Sequence, residues 1–254
     1  MRRITLILLS IYIVLSAYVI LLSGLGQTPA EILTPILTFI AFLFALLHSS
    51  QRMGWKRTLL LLVLTFGISL LFESVGVTTG LVYGPYHYTD RLGIKFLGLV
   101  PLLIPLAWFM MMYPAYVIAS RLVSSTWKIG WWRMGVAALG GIAMTAWDLA
   151  MDPLMASGGY WVWDVKGAYF GVPLQNYWGW WLTTFITFAL FVWLAKTTPG
   201  APDRNDRQAV TSYATTGLTS ILYDVSVGLG GPALVGLFAM LPWVVREAGG
   251  DNRT

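Results

Sequence analysis

Glu73, Asp148, Asp152 and Asp224 are carboxylates set in or beside long apolar runs. An ionisable group inside a membrane is costly, so each is a functional candidate by default. Asp148 and Asp152 stand four positions apart, which puts both on one face of a helix. A pair of this kind has three chemical uses: general acid–base work, half of a magnesium–diphosphate clamp, or a step in a proton relay. Each acid also has a structural alternative. Asp152 precedes Pro153 and can cap a short helix, Glu73 can pair with Arg91 or Lys95, and Asp224 can snorkel outward or bond a tyrosine. Asp148 has no basic residue close to it in the chain. Glu73 is expected at the end of a helix, where its charge opposes the macrodipole. His87 lacks the companion ligands of a metal site and reads as a loop histidine or a hydrogen-bond partner, and His48 as a polar residue at a helix end. No triad order, Walker loop or dinucleotide fingerprint is present. The absence of cysteine removes disulfides, thiolate metal sites and a thiol nucleophile.

The elements that must hold these acids follow from composition. Of the 254 residues 57% are hydrophobic and 11% charged, with a mean hydropathy of +0.70. Soluble domains are about one-quarter charged, so this chain is neither a soluble domain nor a disordered one. About 20 apolar residues cross a bilayer as a helix. Eight runs come near that length: Ile4–Leu22, Ile32–Leu47, Thr58–Phe72, Phe96–Ala119, Trp131–Leu149, Tyr177–Ala195, Val210–Leu229 and Pro232–Val245. Pro101, Pro105 and Pro114 should kink or break the fourth. The expected fold is an all-α polytopic membrane bundle of about eight helices, with residues 1–254 forming one membrane domain.

Charge supports this division. With the N-terminus inside, 13 of the 16 Lys and Arg residues fall on the inner side, leaving Arg91, Lys95 and Lys166 outside. Seven of the 11 acids lie on or near the outer side. This is the positive-inside pattern of a multi-pass cell-membrane protein with both termini cytoplasmic. The basic isoelectric point therefore needs no nucleic-acid partner, only membrane lipids.

Two loops then face outward. The first, from Glu73 to Tyr88, holds Tyr83, Tyr86, His87 and Tyr88 among glycines, and reads as a small hairpin or re-entrant turn. The second, from Asp148 to Asn176, holds Tyr160, Trp161, Trp163 and Asp164. Their aromatic residues form either an interfacial belt or a lid over a pocket for a flat, apolar ligand.

Several motifs fall in a recognisable order. Glu73-x-x-Gly76-x-x-Thr79-Gly80-x-x-Tyr83-Gly84-x-Tyr86-x-Tyr88 is followed by Leu99–Trp108 and Met112-Tyr-Pro-Ala115. Asp148-x-x-x-Asp152-Pro153, Gly159-Tyr-Trp-x-Trp163 and Tyr169-Phe-Gly-Val-Pro-Leu-x-Asn176-x-x-Gly179-Trp180 come later. Together, over roughly residues 58–195, they resemble the membrane carotenoid-biosynthesis family that includes the bisanhydrobacterioruberin and γ-carotene hydratases (CruF type). The resemblance implies addition of water to the terminal isoprenoid double bond of an acyclic carotenoid; no cofactor is expected.

That reaction needs a carboxylic acid that keeps its proton near neutral pH, a condition favoured by desolvation and by a second carboxylate. Asp148, the deepest outer acid on its helix, is the expected proton donor. Asp152 would orient the attacking water, and Glu73 is the runner-up for either role. Faces of Trp161, Trp163, Tyr83 or Tyr160 can stabilise the tertiary cation. Tyr86, His87, Tyr88, Asp164, Asn176 and Asp224 complete the expected substrate contacts. Two rivals stand beside this reading. One is an intramembrane prenyl-diphosphate enzyme using Asp148 and Asp152. The other is a carotenoid-binding protein or proton-coupled transporter.

Overall fold

The computed structural model describes residues 2–200, 203 and 205–248. Arg204, Asp251 and Arg253, which entered the charge pattern, lie outside the described residues. Eight helices pack as a bundle among the described residues: α1 (Arg2–Gly24), α2 (Leu33–Met53), α3 (Trp55–Thr79), α4 (Leu103–Leu122), α5 (Ile129–Ser157), α6 (Leu174–Leu194), α7 (Asp206–Ser226) and α8 (Gly230–Ala248). The first six are long and apolar enough to cross a membrane, and α8 holds a shorter apolar stretch. The Ser- and Thr-rich α7 lodges against α1, α4, α5 and α8. There its hydroxyls find partners, as Thr216 does with the Ser212 carbonyl and Tyr12. The chain is therefore an all-α polytopic membrane bundle, with a helix at the centre of every expected span.

Three boundaries differ from expectation, and each difference moves a candidate acid or its partners. Helix α3 runs past Phe72 to Thr79. It stops where Gly80 takes the left-handed conformation (φ 69°) and its N–H bonds the Gly76 carbonyl at 2.8 Å. Glu73 thus lies inside the helix, and the macrodipole argument for its position does not hold. Helix α4 begins at Leu103 instead of Phe96. Strands β2 (Lys95–Phe96) and β3 (Val100–Pro101) pair antiparallel ahead of it. Pro105 falls in the first helical turn, where no N–H is required. Helix α4 also continues through Pro114.

Helix α5 runs through Pro153 to Ser157, so Asp152 is an interior residue and caps nothing. A proline at 153 cannot bond the carbonyl four residues back. That carbonyl, on Leu149, instead accepts the Tyr169 hydroxyl at 2.9 Å.

The expected hairpin within the first outer loop is replaced by a pairing between the two loops. Strand β1 (Tyr86–Tyr88) runs antiparallel to β4 (Trp161–Trp163), with Tyr86 opposite Trp163 and Tyr88 opposite Trp161. Side chains alternate along a strand, so Tyr86 and Tyr88 turn inward and His87 outward. Two loops distant in sequence thereby place four aromatic residues over the C-terminal halves of α3 and α5.

Candidate active site

Glu73 on α3 accepts three hydrogen bonds from two directions. Tyr86 and Tyr88 of β1 both donate to Oε2, the latter at 2.9 Å, and Trp108 of α4 donates its indole N–H to Oε1 at 3.0 Å. Burial and then the neighbouring Glu73 carboxylate push the Tyr86 and Tyr88 phenols well above the ordinary tyrosine range. At neutral pH both therefore remain donors. Arg91 and Lys95 do not pair with Glu73. Arg91 bonds Glu31 and the Gly158 carbonyl and lies 5.0 Å from the centre of the Tyr160 ring, and Lys95 pairs with Asp90 at 2.8 Å.

Asp152 is held the same way from β4. Trp161 and Trp163 donate their indole N–H groups to its Oδ1 at 2.9 and 3.1 Å. The Asn176 side-chain amide, at the start of α6, donates at 2.7 Å to Oδ2 of both Asp148 and Asp152. Oδ1 of Asp148 has no partner among the described residues. All three acids are buried, at 4%, 0% and 2% exposure for Glu73, Asp148 and Asp152. No cation pairs with them among the described residues. The arrangement satisfies two carboxylates with neutral N–H and O–H donors and joins a third to one of them through a shared amide.

Tyr83 fixes the spacing between α3 and α6. An added Cβ on Gly76 would sit 2.8 Å from its ring, and one on Gly179 2.5 Å, so glycine is needed on both sides. Its hydroxyl bonds Thr183 at 2.8 Å. The preceding Val82 has φ 68°, a conformation a β-branched residue rarely adopts, and Gly179 also abuts its carbonyl.

Beneath the paired strands lies a cavity of about 600 Å³. Glu73, Asp152, Asn176, Tyr83, Tyr86, Tyr88, Tyr160, Trp161 and Trp163 line it. Trp108 and Trp180, stacked at 4.1 Å between ring centres, form part of its wall, and Tyr12 and Thr216 lie on the α1 and α7 side. Most of the expected site residues are thus brought together around one space.

Four are placed elsewhere. Asp148 sits behind Asp152 and reaches the cavity only through Asn176. His87 and Asp164 pair with each other at 2.8 Å on the exposed side of the strands, outside the cavity. Asp224 is buried without lining the cavity; neither of its oxygens has a partner among the described residues, so it neither snorkels nor bonds a tyrosine. His48 is more than a helix-end polar residue: it is buried, with Tyr113 at 2.6 Å and the Asn205 carbonyl at 3.0 Å.

Sequence reading missed Trp108, Trp180 and Tyr12 as lining residues. Both tryptophans lie in the quoted motifs but inside apolar spans, where a ring reads as core. Tyr12 shares its run with Tyr18, Ser10 and Ser16, so nothing in the sequence singled it out.

The bisanhydrobacterioruberin hydratase of Haloarcula japonica is 32% identical over 141 residues, covering 54% of this chain and 45% of that protein. The chain therefore matches less than half the length of that relative. No solved structure matches the chain. The model of the carotenoid biosynthesis protein family matches residues 30–242, a stretch that contains all three carboxylates, both strands above them and most of the cavity. On that coverage the chain belongs to the carotenoid biosynthesis protein family.

Proposed function

We propose that the protein is a carotenoid hydratase, which adds water across the terminal isoprenoid double bond of an acyclic carotenoid. The observation that carries this reading is the trio of buried carboxylates, two of them facing an aromatic cavity and none paired with a cation among the described residues. The Asp148–Asp152 pair holds one proton. Asp152, the member at the cavity, passes it to the CH carbon of the terminal alkene, and the positive charge falls on the dimethyl-substituted carbon. Water attacks that carbon and gives its proton to Glu73, from which water carries it back to the aspartate pair. One alkene and one water become one tertiary alcohol.

The surroundings suit the charge that develops. Carboxylates preorganised by fixed donors stabilise a nearby cation without reorganising. Trp161, Trp163, Trp108 and Trp180 supply aromatic faces and exclude bulk water. A diphosphate calls for several cations, whereas Arg91 is the one cation lining the cavity among the described residues, and it is engaged by Glu31. This favours hydration over prenyl-diphosphate chemistry. Expression in a host that accumulates an acyclic carotenoid, with mass analysis of the pigments, tests the reading. A product heavier by one water per reacted end supports it; unchanged pigment overturns it.

Two further outcomes follow. Trp161→Leu should slow hydration by about 30-fold, the rate equivalent of a cation–π contact worth ~2 kcal/mol in a dry site, and Trp161→Phe should cost less. Equal rates for Trp, Phe and Leu would remove the cation-stabilising role. The second outcome concerns orientation in the cell membrane, for which the charge pattern supports cytoplasmic termini. Reporter fusions at Gly80, Val165 and Asp203 should read outside, outside and inside. An inside signal at Val165 would overturn that orientation.

A further inference from the structure

The end of the bundle remote from the cavity holds a second pocket, of about 230 Å³. Three arginines from three helix ends line it: Arg52 closing α2, Arg57 opening α3 and Arg121 closing α4. Arg57 and Glu73 lie on the same helix sixteen residues apart, so the pocket is roughly 24 Å from the carboxylates along the axis. At that distance it has no part in the chemistry proposed above.

Its charge is not balanced among the described residues. Asp206 is fully buried and takes both Arg52, at 2.5 Å, and Arg121, at 3.4 Å. Asp203 also lines the pocket, but one of its oxygens accepts from the backbone and side-chain N–H groups of Asn205. Arg57 has no carboxylate partner among the described residues. Among these described residues, three guanidinium groups against two carboxylates leave one positive charge. A second, independent feature also asks for an acceptor. Trp132 lines the pocket at 1% exposure, and its indole N–H has no hydrogen-bond partner among the described residues. Buried donors are normally satisfied, and an indole can only donate.

We propose that this pocket binds a phosphate ester carrying one negative charge, namely the headgroup phosphate of an anionic phospholipid. Guanidinium groups match phosphate geometry, and the headgroup charge offsets the excess. Met53, Tyr116 and Trp132 form less polar walls suited to the glycerol and the start of the acyl chains. The pocket lies at the ends of membrane-spanning helices, the depth at which headgroups are found.

The test is native mass spectrometry of the full chain from micelles doped equally with phosphatidylglycerol and phosphatidylcholine. The wild type should retain one phosphatidylglycerol in at least tenfold preference. Arg57→Gln changes an exposed side chain and should fold normally, yet lose that preference. Inorganic phosphate provides the second arm, read by thermal unfolding of both proteins. Phosphate stabilisation that Arg57→Gln abolishes, without lipid preference, would keep the phosphate site and overturn its lipid source. No preference for either probe, or equal retention by Arg57→Gln, would overturn the site.

Discussion

Asp152→Asn is expected to lower carotenoid hydration by about 10²–10⁴-fold, the range of general acid–base assistance. Asparagine keeps the size of the side chain but cannot release a strong-acid proton to carbon. Its amide group also meets the wrong neighbours. Trp161 and Trp163 donate to one oxygen and Asn176 to the other, so at least one donor loses its acceptor. That mismatch should cost about 1–3 kcal/mol of stability. Thermal unfolding and pigment retention separate this loss from the loss of chemistry. A variant that folds, retains carotenoid and forms no alcohol is the expected result. Asp148→Asn leaves the cavity-facing acid in place, so its rate should fall less and its pH–rate profile should change shape. Full turnover by Asp152→Asn with a dead Asp148→Asn would exchange the two roles.

Glu73→Gln should show a second large effect, a rate loss of at least ~10²-fold if Glu73 takes the proton from water. Glutamine retains one acceptor for three donors. Tyr86 and Tyr88 can turn their hydroxyls to accept from its amide, while Trp108 keeps the carbonyl. The fold should therefore survive with a loss of about 1–3 kcal/mol. Tyr86→Phe removes one donor and spares the carboxylate, so it should slow the reaction less than Glu73→Gln does. Measuring alcohol formation and unfolding on both variants checks the order. A fully active Glu73→Gln would leave Glu73 a structural anchor for β1.

The bundle and its acids were legible because membranes impose a strong code. Apolar length marks the spans, and a carboxylate inside one stands out. Helix ends were less legible, and each has a local cause. Helix α3 continues through Thr78 and Thr79 because their hydroxyls bond carbonyls of the preceding turn, Ser74 and Val75. Helix α5 passes Pro153 because Tyr169, sixteen residues later, satisfies the carbonyl that the proline abandons. The β1–β4 pairing was not readable at all. Each strand has three residues, and its partner lies about seventy-five positions away, beyond the reach of any local pattern. That pairing decides which aromatic side chains meet the acids. Asp148 was correctly set beside Asp152 by helical spacing, but spacing alone does not say which of them faces open space.

Among the described residues, every donor to the three acids lies later in the chain than the acid it serves. Tyr86, Tyr88 and Trp108 follow Glu73; Trp161 and Trp163 follow Asp152; Asn176 follows both aspartates. A ribosome works from the N-terminus, so α3 and α5 emerge before the groups that satisfy their carboxylates. Until then these acids must be hydrated or protonated, because lipid offers them no hydrogen bonds. Their placement in the last few turns of each helix keeps them near one membrane surface during that interval. Insertion is thus separated from closure. The helices can enter the bilayer with their acids still wet, and water leaves only when the loop carrying β4 folds back onto the loop carrying β1.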